Sequence, residues 1–152
     1  MYESCTFDEV IDFAIEREKE AVQFYKELQR ITVFSVQKSV LREFEMMEHG
    51  HVTLLQNVKK RKSIAGLNPA APPDTRLNEY LVPTIPVPEM TYQDILITAI
   101  KREQKSVELY SRLLEESTDP ELKKIFKLLN TEEQKHRHHF EKLYEEDIQE
   151  DN

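Results

Sequence analysis

"TFDEVIDFAIEREKEAVQFYKEL", residues 6–28, returns as "TYQDILITAIKREQKSVELYSRL" at residues 91–113 without a gap. The offset is 85 throughout: Thr6 meets Thr91, Ala14 meets Ala99, Arg17-Glu18 meets Arg102-Glu103, and Tyr25 meets Tyr110. It continues downstream, where Leu41 falls on Phe126, Phe44 on Leu129, Glu48 on Glu133, His51 on His136 and Leu55 on Phe140. One constant offset over some fifty residues marks a structural unit written twice. Two copies are too few for a solenoid and suit a bundle of two hairpins.

Each half reads as two amphipathic helices. Thr6 with Glu9 forms a capping-box pattern ahead of an apolar period, and Thr91 with Asp94 a weaker version. The expected helices cover about 7–31, 35–62, 92–116 and 119–147, with Ser35 as the N-cap of the second and Asp119-Pro120 opening the fourth. Turns near 32–35 and 117–119 are short, so each pair is antiparallel. Segment 63–90 holds six of the seven prolines and one of the two glycines. It reads as a crossover that carries the chain back along the bundle and leaves the second and third helices parallel. A helix of this length spans about 40 Å, which 28 residues can cover easily. The apolar string Tyr80, Leu81, Val82, Ile85, Val87 suggests that the crossover packs on the bundle. The expectation is therefore a single all-α domain over residues 1–152, a four-helix bundle of two antiparallel hairpins joined by a long connection. The connection is also long enough to exchange a hairpin between two chains, which gives a homodimer.

Composition narrows the class. The chain has 152 residues, 39% hydrophobic and 33% charged, enough for one sizeable core. A net charge of −8 argues against a nucleic-acid partner or an anionic membrane. No apolar run reaches the roughly 18 residues of a membrane span, and the first ten residues lack the features of a signal peptide. Cys5 is the only cysteine, so there is no internal disulfide and no CxxC pair for a zinc ribbon or rubredoxin site. A cytoplasmic address is the default expectation.

The helical period puts acids inside. Glu18 shares a face with Ile11, Ala14, Ala21 and Tyr25, whereas Glu16 and Glu20 lie on the polar side. Glu103 repeats this among Leu96, Ala99, Ser106 and Tyr110. Glu48 and His51 lie with Leu41, Phe44 and Leu55; Glu133 and His136 with Phe126, Leu129 and Phe140. Each pair of glutamates stands about 15 residues either side of its turn, which puts both at one height in an antiparallel hairpin. Four buried carboxylates cannot stand unpaired, because one uncompensated buried charge costs several kcal/mol. Two divalent cations neutralise four carboxylates, and a carboxylate-rich set with one imidazole per metal suits iron or manganese better than zinc. Tyr25 and Tyr110 lie two turns from the acids, as core residues or as hydrogen-bond donors to them. Glu132, His49, His138 and His139 are expected at the surface, Met46 and Met47 as helix filler, and the acidic residues from Glu145 onward as a solvated tail.

One Glu from each of two helices, plus Glu-x-x-His from each of the other two, is the pattern of the ferritin-like di-iron carboxylate proteins. The 30-residue Glu-to-Glu spacing in both halves, with "REKEAVQFY", "EHGH" and "EEQKH", most closely resembles the rubrerythrin branch. The resemblance implies that Glu18, Glu48, His51, Glu103, Glu133 and His136 hold two iron ions, or manganese or a mixed pair, with Glu48 and Glu133 bridging. It implies a peroxide- or dioxygen-reducing oxidoreductase served by an external electron donor. Ferritin-like oxidation of ferrous iron is the alternative, and a non-catalytic metal-stabilised sensor or docking module is the third. Two departures stand out: the chain lacks the cysteine pairs of a rubredoxin domain, and Ser106 replaces the extra glutamate that rubrerythrins carry one turn after the third-helix ligand. With Ala21 at the equivalent place in the first half, this implies a nearly two-fold symmetric site. His51 and His136 would then stay on metal in both redox states, and peroxide turnover would be slower.

Overall fold

The structure, a computed structural model, describes residues 7–64, 80 and 91–151. Four helices account for nearly all of them: α1 (Phe7–Ile31), α2 (Ser35–Ile64), α3 (Tyr92–Glu116) and α4 (Pro120–Asp151). Three-residue turns at 32–34 and 117–119 force α1 against α2 and α3 against α4 as antiparallel hairpins. Across the bundle, Tyr25 of α1 meets Glu103 of α3 while Tyr110 of α3 meets Glu18 of α1, so these two helices are antiparallel as well. It follows that α2 and α3 run parallel, as the long connection requires.

Local chemistry explains where the helices begin. Thr91 caps α3 in extended backbone and accepts a hydrogen bond from the Asp94 amide at 3.1 Å, and the Asp94 carboxylate accepts one from the Thr91 amide at 3.2 Å. The pattern that looked weaker in sequence is a complete capping box. Its counterpart, Thr6, lies outside the described residues. Asp119 Oδ1 accepts from the amides of Glu121 and Leu122, with Pro120 as the first helical residue. Ser35 is the first residue of α2 rather than its cap. Both helices expected to end early run on: α2 to Ile64 and α4 to Asp151. In α4 the extra turn follows from Leu143, Tyr144 and Ile148, which are partly covered and extend the apolar stripe beneath the acidic residues. Most of the 63–90 crossover lies outside the described residues. Within it, Tyr80 is buried in the core and hydrogen-bonds to Arg112 of α3.

The core is two apolar clusters rather than one. Ile11, Ala14, Leu55, Tyr110, Leu113, Phe126 and Leu129 belong to the first. Leu96, Ala99, Phe140, Tyr25, Leu28 and Leu41 belong to the second. Under the offset of 85, all but the last residue of the first set map onto the second set in the order given, so each cluster is the other's image about a two-fold pseudo-axis. Each draws on all four helices, and buried polar residues lie between them. Every described helix is too polar to cross a membrane.

Replacing Thr91 by Ala removes one side of the capping box and should destabilise the protein by about 1 kcal/mol. Thermal unfolding should show the midpoint falling by roughly 2–4 °C. An unchanged midpoint would mean that α3 is held by packing alone.

Candidate metal centre

Between the two clusters lie Glu18, Glu48, His51, Glu103, Glu133 and His136, each at most 4% exposed. The structure brings all six together. Glu18, Glu48, His51 and Glu133 each offer one ligand atom in a group whose atoms lie within 4.8 Å of one another. Glu48, Glu103, Glu133 and His136 form a second such group. The offset of 85 turns one group into the other, and Glu48 and Glu133 belong to both. His51 Nδ1 stands 3.2 Å from Glu133, 3.3 Å from Glu18 and 3.3 Å from Glu48. His136 Nδ1 stands 3.1 Å from Glu48 and 3.7 Å from Glu103.

The protein alone leaves this layer unsatisfied. Both Glu48 oxygens, one oxygen each of Glu103 and Glu133, and His136 Nδ1 are buried without a hydrogen-bond partner. Buried polar atoms are rarely orphaned, and each orphan costs about 1–3 kcal/mol or more if charged. Burial pushes Glu48 well above the usual carboxylate range, and the neighbouring Glu18 charge adds to it. Glu133 is raised in the same way, by burial and then by Glu103. Burial would raise Glu18 too, but contacts with Glu48 and His51 outweigh it and hold it low. Burial would lower His51, yet Glu133, Glu18 and Glu48 together raise it. Orphaned carboxylate oxygens that face inward around two imidazoles make a carboxylate-rich donor set for cations. The donor set is compatible with bound metal ions.

A ring of hydrogen bonds and apolar groups fixes the carboxylates. Tyr110 Oη donates to Glu18 at 2.5 Å, and Tyr25 Oη donates to Glu103. Both phenols are buried and held above their ordinary range, first by burial and then by the Glu18 and Glu103 charges respectively, so both keep their protons. Phe44 lies 4.2 Å from the His136 ring, and Tyr25 stacks on Phe140 at 5.8 Å. On the α1–α3 side, Ala21 and Ser106 line a small void with Arg17, Arg102, Tyr25 and Glu103. Its volume of about 20 Å³ is room for roughly one water.

Three residues are not where the sequence reading put them. Glu132 is only a quarter exposed and contacts His51 Nε2, so it is part of the site's outer wall and not a free surface acid. Met47, its equivalent under the offset, is not filler: its Sδ lies 3.5 Å from His136 Nε2. His139 is not at the surface either, but half-buried with its ring edge-on to Phe44 at 5.1 Å. Sequence pattern missed all three because they flank the inward stripe on helices α2 and α4, whose side chains reach across to one another at these flanks. The signal available was their position next to a ligand candidate. His138 and His49 are exposed, as expected, with His49 facing Glu45, and Met46, expected as helix filler, is exposed as well. The expected two-fold symmetry describes the two ligand groups but ends at Glu132 and Met47.

Residues 94–151, which are α3 from its first turn and all of α4, match the Rubrerythrin family model. No curated protein sequence matches the chain. Among solved structures, a hypothetical protein from Pyrococcus furiosus is similar in fold, with a TM-score of 0.71. It is 24% identical, and the alignment covers 90% of this chain and 87% of that one. The family match covers one hairpin, the same ligand-type residues repeat on the other, and both close on one buried carboxylate layer, so the chain resembles the rubrerythrins through its α3–α4 hairpin.

Proposed function

We propose that the protein is a di-iron oxidoreductase that reduces hydrogen peroxide or dioxygen with electrons from an external donor. The observation that supports this most is the pair of overlapping four-ligand groups sharing Glu48 and Glu133. In this reading Glu18 and His51 would hold one ion, Glu103 and His136 would hold the other, and Glu48 and Glu133, which belong to both groups, would be shared between them. When bound, a ferrous pair supplies the two electrons that, with two protons, take hydrogen peroxide to two waters.

The chain's own residues do the rest. Tyr25 and Tyr110 pin the terminal carboxylates by donating to Glu103 and Glu18, which keeps their other oxygens turned toward the centre. Phe44, Leu129 and Phe140 keep bulk water from the α2–α4 side. The void by Ser106 is the natural place for a small oxidant to approach, since it lies beside Glu103 and is bounded by the short side chains of Ala21 and Ser106.

Replacing Glu48 and Glu133 together by Gln keeps their volume and removes the charges. Wild-type apoprotein should take up about two ferrous or cobaltous ions per chain. Each ion should stabilise it by about 2.7 kcal/mol when free metal stands 100-fold above Kd. The double variant should fold, melt no lower than apoprotein, and gain nothing from metal. Full occupancy in that variant would remove the bridging assignment.

Loaded anaerobically with ferrous iron, the protein should consume one peroxide per pair of ions and keep its iron. Release of the oxidised iron would favour ferroxidase chemistry instead. Ser106→Glu should raise the peroxide rate, because it restores a carboxylate at the place where rubrerythrins carry one. A rate unchanged or lowered, at full iron loading, would remove Ser106 as the reason for slow turnover.

A further inference from the structure

We propose that Glu132 makes the two metal positions inequivalent, by holding His51 so that the position it serves takes up its ion first. The inference rests on the two-metal reading above and adds an order to it. Its basis is a comparison inside the molecule. Each ligand candidate and each of the two tyrosines has a counterpart of the same type under the offset of 85: Glu18 and Glu103, Glu48 and Glu133, His51 and His136, Tyr25 and Tyr110. The outer edges of the two imidazoles do not match. His51 Nε2 meets the Glu132 carboxylate of α4, whereas His136 Nε2 meets the Met47 thioether of α2 at 3.5 Å. Both contacts reach across the same helix pair from equivalent places, so the difference lies in chemistry rather than geometry.

A carboxylate accepts a hydrogen bond and cannot donate one. It therefore fixes a proton of His51 on Nε2 and leaves Nδ1, which faces Glu18, Glu48 and Glu133, as the nitrogen that would offer its lone pair to a cation bound among them. The negative charge also makes that nitrogen a stronger donor to a cation, and outer partners of this kind are worth roughly 10–100-fold in metal affinity. A thioether is a weak acceptor with no charge, so His136 is neither fixed in one tautomer nor strengthened. With bridging carboxylates common to both positions, the outer partner is what separates them.

Cobaltous ion alone is a suitable probe, added anaerobically to apoprotein against a competing chelator. Three proteins are compared: wild type, Glu132→Met, which copies the other half, and Met47→Glu, which copies Glu132. Glu132→Met should weaken the first equivalent about 10–100-fold, and Met47→Glu should tighten the second by a similar factor. At one equivalent, proton NMR of wild type should show one slowly exchanging, metal-shifted imidazole N–H. It should vanish in Glu132→Met and gain a second at full loading in Met47→Glu. Glu132 is at the edge of the site, so both variants should melt close to wild-type apoprotein. An unchanged first step in Glu132→Met, with two ions still bound, would overturn the inference and leave the two-metal reading standing. Failure of wild type to bind any cobalt would overturn both.

Discussion

Four glutamates in the middle of a helical bundle are the constraint from which the rest follows. Glu18, Glu48, Glu103 and Glu133 occupy a layer that an ordinary bundle fills with Leu and Val, and none is more than 3% exposed. The layer splits the core into two clusters, each of which must be sealed by its own aromatic and aliphatic side chains. It also explains the tyrosines. A phenol buried among carboxylates keeps its proton, so Tyr25 and Tyr110 can cap the acids with hydrogen bonds without adding charge. The apolar clusters above and below the layer offset the cost of burying it.

The duplication made most of this legible in sequence. Inward acids are ambiguous one at a time, since Glu-x-x-His on a charged helix is usually solvated. Glu18 and Glu103 in equivalent apolar stripes, each 30 residues before a Glu-x-x-His, point to an arrangement of four helices in which all six side chains converge on one level. The helix starts at Thr91 and Asp119 were legible for a different reason: capping is written in consecutive residues.

What sequence did not reveal lies at the edges of the stripes. Periodicity sorts residues into inside and outside, but Glu132, Met47 and His139 sit on the boundary, where the spacing between α2 and α4 decides. A charged residue beside a stripe and a charged residue reaching over its rim have the same period. The end of α4 was misplaced similarly: a run of acids reads as a tail, yet Leu143, Tyr144 and Ile148 beneath it continue the helix to Asp151.

The pseudo-axis has an evolutionary consequence. Each apolar cluster takes residues from both hairpins, so one hairpin alone buries neither and has to find a second copy of itself. An ancestor of half this length could have built the same six-residue centre as a dimer of identical hairpins. Identity would have compelled it to offer both imidazoles the same outer neighbour. Joining the two hairpins in one polypeptide lifts that compulsion: each copy can then drift independently, as Met47 and Glu132 have, while the shared carboxylate layer keeps the halves in register.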